Sequence, residues 1–150
     1  MAIEIERRFR VVGDSWRAAV RREQHIVQGY LATRDVAVIR VRIVDDSAAV
    51  ITVKSHKTGR SRTEFDYRIP LADAREMLAM AGNAVIDKRR FTLDYAGKVW
   101  EIDIFGGRHA GLVIAEIELT APDETFEHPD WLGDEVTDDP SLANAVLARR

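Results

Sequence analysis

Apolar and polar residues alternate with period two through most of the chain, the pattern of strands with one buried face. The alternation predicts strands over 2–11, 25–33, 36–45, 48–55, 61–69, 84–95, 98–106 and 112–120. Two stretches break it. Asp14 can accept the orphan backbone N–H groups of a first helical turn, so a short helix is predicted over 14–22. Leu71, Met77, Leu78 and Ala81 fall near helical spacing with Gly82 behind them, which predicts a helix over 71–81. Asp45-Asp46 and Ala96-Gly97 read as hairpin turns. Beyond residue 120 the chain shifts to Pro, Asp and Glu, and an Ala-rich helix is predicted over 141–149. No repeat, low-complexity tract or Pro/Ser-rich linker divides the chain, so residues 1–150 read as one domain. The pattern is strand-dominated α+β, with eight strands and flanking helices.

Side chains of a strand alternate between two faces, and here one face is charged. Glu4, Glu6, Arg8 and Arg10 oppose Ile3, Ile5, Phe9 and Val11. Val38, Arg40 and Arg42 oppose Ala37, Ile39, Val41 and Ile43. Thr52 and Lys54 oppose Ile51 and Val53, while Arg62, Glu64, Asp66 and Arg68 oppose Phe65, Tyr67 and Ile69. Lys88 and Arg90, Glu101 and Asp103, and Glu116 and Glu118 repeat the arrangement on the last three strands. A solvated sheet face accounts for any one strand. Across the set, two features point elsewhere. The face is dense in Arg, Glu and Asp, and the signs segregate by strand. Like charges two residues apart on one face repel, which costs stability unless an opposite charge is bound.

Composition narrows the chemistry. The 150 residues contain no cysteine, which removes disulfides, thiolate metal sites and a cysteine nucleophile. His25, His56, His109 and His128 are scattered, without metal-ligand spacing. The net charge of -3 argues against general nucleic-acid binding. No apolar run approaches a membrane span of roughly 20 residues. The acidic start argues against a secretory signal, so a cytoplasmic protein is expected. With 31% charged residues, placement matters more than balance. Closing the strands would put the charged face inside a small barrel, where it can hold a ligand. Arginine forks suit phosphate oxygens, and clustered carboxylates suit Mg²⁺, a hard cation that keeps waters and phosphates as co-ligands.

The order of these residues resembles the CYTH family, the triphosphate tunnel metalloenzymes. Glu4-Ile5-Glu6-Arg7-Arg8 resembles its amino-terminal Glu-x-Glu-x-Lys signature. Gln28-Gly29-Tyr30-Leu31, Arg40-Val41-Arg42, Thr52-Val53-Lys54-Ser55 and Arg62-Thr63-Glu64-Phe65-Asp66 resemble the strands that follow. Lys88-Arg89-Arg90-Phe91, Glu101-Ile102-Asp103 and Glu116-Ile117-Glu118 resemble the later ones, and Gly133 to Thr137 with Asn144 and Leu147-Ala148 resemble the closing segment. Three positions depart from the pattern: Arg8 stands for Lys, Asp66 for Glu, and Leu142 for an aromatic.

The resemblance implies a closed eight-stranded antiparallel β tunnel and metal-dependent hydrolysis of a triphosphate, above all inorganic tripolyphosphate. It implies Mg²⁺ or Mn²⁺ on Glu4, Glu6, Glu116 and Glu118, with Glu101 and Asp103 either joining them or pairing with tunnel cations. It implies phosphate binding by Arg8, Arg40, Arg42, Lys54, Arg62, Lys88 and Arg90, and a catalytic pair in Tyr30 and Lys54. A triphosphate small molecule is the expected partner, with no nucleic acid and no membrane. An apolar outer face permits a homodimer. Thiamine or nucleoside triphosphatase, class IV adenylate cyclase and a polyphosphate-binding module without turnover remain alternatives. His56 and Lys57, in the loop before Gly59, read as solvated loop residues, with contact at the ligand mouth as the alternative.

Overall fold

Eight strands close on themselves in the computed structural model, which describes residues 2–34 and 36–150. They are β1 (Ala2–Val11), β2 (Val20–Thr33), β3 (Ala37–Val44), β4 (Ala48–Ser55), β5 (Ser61–Arg68), β6 (Val85–Tyr95), β7 (Lys98–Phe105) and β8 (Val113–Glu118). The order around the ring is β1-β5-β4-β3-β2-β6-β7-β8, antiparallel throughout. The expected strand-dominated tunnel with flanking helices is present. Both predicted hairpin turns form: Asp45 and Asp46 take φ of 52° and 54°, and Ala96 and Gly97 take 48° and 76°. Two successive left-handed residues give the turn whose twist matches paired strands.

Four elements differ from the sequence expectation. The helix expected over 14–22 is only a 3-10 turn, Ser15–Ala19. Asp14 starts it through its backbone carbonyl, which accepts from Arg17 N at 3.1 Å, and its side chain caps nothing. Trp16, 2% exposed, pins the turn against Phe91, and the backbone of Val20 to Glu23 extends β2 along β6. Pairing along β6 overrides helix propensity there. A ninth strand, β9 (Leu132–Glu135), lies on the half of the β1 edge that β5 leaves uncovered. The carboxyl-terminal helix is a 3-10 turn, Pro140–Leu142, and a single-turn α2, Asn144–Leu147, separated by extended Ala143 at ψ 137°. The helix α1 (Leu71–Met80) forms as expected.

Apolar packing lies on the outside of the ring and at one end of its interior. Trp16, Phe91, Leu93, Trp100, Ile102, Ile117 and Trp131 form the core outside β6, β7 and β8. Helix α1 covers Val41, Ile43 and Ala49 on the far side. Gly29 makes that contact possible: a Cβ there would sit 2.8 Å from Leu78 and 2.9 Å from Ala81. The third cluster was not anticipated. Ile86, Phe105 and Ile114 share strand parity with Lys88, Asp103 and Glu116, so they face inward. Val136, Leu142, Leu147 and Ala148 pack on them and stopper that end of the barrel.

Candidate active site: a charged tunnel closed at one end

Strand register decides which charges meet. Charges that segregate along the sequence become mixed across strands: Glu4 lies opposite Arg62, Lys54 opposite Glu64, Arg8 opposite Glu116, and Arg90 opposite Asp103. Two like-charged pairs remain, Glu6 opposite Glu118 and Glu101 opposite Glu116. Between these walls lies a cavity of about 500 Å³. All seven expected phosphate-binding cations line it, as do Tyr30 and the carboxyls of Glu4, Glu6, Glu101, Glu116 and Glu118. Asp103 does not. It lies behind the wall, fully buried, and accepts from Lys88 Nζ at 2.6 Å and from Arg90 Nε and Nη2 at 2.8 and 2.9 Å.

The cations are held by groups the sequence reading had placed nearby without partners. Arg42 Nε donates to Gln28 Oε1 at 2.8 Å, and Gln28 Nε2 donates to Tyr30 Oη at 2.8 Å. Arg40 donates to Thr52 Oγ1 at 3.2 Å, and Thr52 donates on to Asp66 at 2.5 Å. Asp66 therefore orders a cation through threonine. Arg62 donates to the Ser55 carbonyl at 3.2 Å. Lys54 Nζ sits 2.8 Å from Glu4 Oε2, and among the described residues no hydrogen bond joins it to Tyr30. Two buried donors on this wall, Arg8 Nη2 and Arg40 Nε, have no partner among the described residues.

Crowding perturbs the titrating groups. Burial, then the charges of Glu116 and Glu4, push the Glu6 carboxyl up to about 8. Burial, then a hydrogen bond to Glu4, raises Glu64 to about 8, and burial beside Glu4 and Glu101 raises Glu118. Burial would also raise Glu4, but the Lys54 charge together with hydrogen bonds from Glu64, Lys54 and Glu6 outweighs it, and Glu4 is held at about 2. Arg90 and Arg8 likewise overcome the burial of Glu116 and lower it. On the cationic wall, burial brings Lys88 down to about 7 despite Asp103, and burial beside Arg40 and Arg90 brings Arg42 down to about 9. Each wall thus carries like charges that an opposite charge would relieve.

The carboxyls supply only oxygen donors, the set a hard divalent cation takes. Among the described residues no three acidic or imidazole groups converge as a ready-made cage, since Glu4 and Glu116 are engaged by Lys54 and Arg8. The raised Glu6 and Glu118 lie opposite each other in the ladder, a proximity that a cation would stabilise. The residues present therefore fit such a metal.

The closed end adds residues to which the sequence reading gave no site role, although it named Thr137 and Asn144 in the closing segment. Thr137, Asp138, Asp139, Pro140 and Ala143 to Ala145 line the cavity. Lys57, read first as a solvated loop residue with the ligand mouth as the alternative, also lines it and donates to the Thr137 carbonyl at 3.4 Å. Asn144 Oδ1 accepts from Lys88 Nζ at 3.2 Å. The only sequence signal for Lys57 was its place two residues before Gly59, and loop residues carry no parity.

Residues 2–144 match the CYTH domain. The chain belongs to the CYTH family. Over 150 residues it is 40% identical to an inorganic triphosphatase of Acetivibrio thermocellus, covering 99% of this chain and 95% of that one. It is 30% identical to an inorganic triphosphatase of Nitrosomonas europaea, covering 97% and 96%. The crystal structure of the inorganic triphosphatase NE1496 superposes with a TM-score of 0.71 at 27% identity, covering 98% of each chain. Among the described residues of this CYTH chain no helix is long and apolar enough to cross a membrane.

Proposed function

We propose that this chain is an inorganic triphosphatase that hydrolyses the terminal phosphoanhydride of tripolyphosphate with a divalent metal, Mg²⁺ or Mn²⁺. The observation that carries the reading is a cavity lined by Arg8, Arg40 and six further cations, in which the buried donors Arg8 Nη2 and Arg40 Nε have no partner among the described residues. A buried donor left unpaired is costly, and phosphate oxygens supply the acceptors. Family membership and the two triphosphatase relatives support the same conclusion.

In this reading Arg8, Arg40, Arg42, Lys54, Arg62, Lys88 and Arg90 grip the phosphate chain. Bringing a polyanion between them raises the depressed proton affinities of Lys88 and Arg42 and so keeps both charged. Asp103 fixes the direction of Lys88 and Arg90 from behind the wall rather than binding metal. Glu4, Glu6, Glu116 and Glu118 hold the metal, with Glu101 at the edge of the set. When bound, the metal neutralises phosphoryl oxygens and polarises water. The oxygen of water bonds to the terminal phosphorus as the bridging P–O bond breaks. The arginines stabilise the charge that passes to the leaving pyrophosphate. Tyr30 accepts from Gln28, which leaves its own O–H free to donate to the substrate. Lys54 neutralises negative charge between Glu4 and the phosphates.

The test is phosphate release from tripolyphosphate with Mg²⁺, with Mn²⁺ and with chelator, beside ATP and thiamine triphosphate. Metal-dependent release from tripolyphosphate in preference to the others is expected. No release from any of the three, with a melting temperature that still rises on adding tripolyphosphate, would overturn turnover and leave a binding module.

A further inference from the structure

Arg8 is 6% exposed and joins three parts of the site through one rigid group. Its Nε donates to Glu116 Oε1 at 3.1 Å, and its Nη1 donates to the Leu142 carbonyl at 2.7 Å. Its Nη2 is buried without a partner among the described residues, in a side chain that lines the cavity. The backbone of the same residue holds the same segment. Arg8 N donates to Thr137 Oγ1 at 3.0 Å, and Arg8 O accepts from Val136 N at 2.8 Å. Every one of the cavity-lining residues Thr137, Pro140 and Asn144 therefore belongs to a segment tied to residue 8 at two or more points.

A guanidinium is planar, and its donors cannot move independently. An acceptor that fixes Nη2 also fixes Nη1, and hence the hold on Leu142 O. A lysine has one nitrogen and no such fork. We infer that Arg8, besides gripping phosphate, couples an anion in the tunnel to the closing segment 136–148, tightening the segment when a phosphate oxygen occupies Nη2. The inference rests on the proposed function, since it needs a phosphate chain in the cavity. It adds that the stoppered end responds to the ligand.

The segment carries its own reporters. Leu142 N bonds to Asp139 O, Val146 N and Leu147 N to Ala143 O, and Ala148 N to Asn144 O. Amide hydrogen exchange at these four sites measures its opening. The experiment uses the full chain with Mg²⁺ and the imido analogue of tripolyphosphate, whose P–N–P links resist hydrolysis. Binding is measured separately by calorimetry, for the wild type and for Arg8→Lys.

In the wild type, the analogue is expected to slow exchange at the four sites by about tenfold or more beyond any change in β6 and β7. In Arg8→Lys the analogue still gives heat of binding, but the extra slowing at these sites is lost. A purely structural role would speed their exchange equally with and without ligand. Heat of binding in the wild type without local slowing overturns the inference, and so does equal slowing in the two proteins. No heat of binding in the wild type overturns the proposed function itself. Should Arg8→Lys fail to fold, the wild-type comparison alone still decides between slowing and none.

Discussion

Replacing Asp103 by asparagine tests the electrostatic frame behind the tunnel wall. The carboxylate is fully buried and accepts three charged hydrogen bonds, one from Lys88 and two from Arg90. Its burial opposes ionisation, but Arg90 and Lys88 overcome this and hold it well below the usual carboxylate range. Asparagine keeps the shape and removes the charge. Arg90 then keeps only its longer contacts to Glu101 at 3.4 Å and Glu116 at 3.6 Å, Lys88 keeps only Asn144 Oδ1 at 3.2 Å, and the new amide nitrogen has no acceptor between them. Breaking one partner of a buried ion pair costs about 3–5 kcal/mol. For a chain of this length that lowers the melting temperature by about 6–20 °C. Asp94→Asn is the control, because Asp94 pairs with Arg21 at 3.0 Å on the open surface. An exposed pair of that kind is worth under about 1 kcal/mol. Urea unfolding of both variants gives the comparison. Equal stability of the two variants would refute the view that Asp103 holds the cationic wall in place.

Four further outcomes are expected. Glu116→Gln should abolish metal-dependent phosphate release while leaving the circular dichroism spectrum unchanged; undiminished release would remove Glu116 from the metal set. Gly29→Ala should destabilise the fold by about 1–3 kcal/mol, because its Cβ meets Leu78 and Ala81 and must push α1 outward; a neutral result in urea unfolding counts against that packing. Ala96→Gly should stabilise by up to about 1 kcal/mol, since Ala96 holds a φ of 48° that alanine disfavours; a lower melting temperature would contradict it. Without metal, stability should decline from pH 5 to pH 8: Glu6 and Glu64, raised to about 8, hold protons that the unfolded chain has already released, so stability present below the unfolded value is lost as pH rises through the folded one. Thermal scans of the double variant Glu6→Gln/Glu64→Gln should show a flatter slope, and an unchanged slope would assign the loss to other groups.

Much of the architecture was legible because period-two alternation states which residues share a face. That parity placed Arg40, Arg42, Lys54, Arg62, Lys88 and Arg90 on one wall with Glu4, Glu6, Glu116 and Glu118, and the structure puts all ten around the cavity. Parity says nothing about depth along a strand. Asp103 and Glu101 were indistinguishable in sequence, yet one lies behind the wall under Lys88 and the other lines the cavity. Ile86, Phe105 and Ile114 also share the inward parity, and their apolar character marked an end of the tunnel that only the docking of Val136, Leu142 and Leu147 made visible.

By itself, then, the sequence determined the strands, both hairpin turns and the charge of the inner face, because these follow from local chemistry and a fixed side-chain period. Tertiary structure decided the rest. Register across strands converted segregated charges into pairs such as Arg8 with Glu116 and Glu4 with Arg62. Pairing with β6 turned a predicted helix into strand from Val20 onward. Contacts more than a hundred residues apart, from Arg8 to Thr137 and Leu142, closed one end of the barrel. Such contacts depend on where the closed ring brings two segments together, and no local pattern in either segment records that meeting.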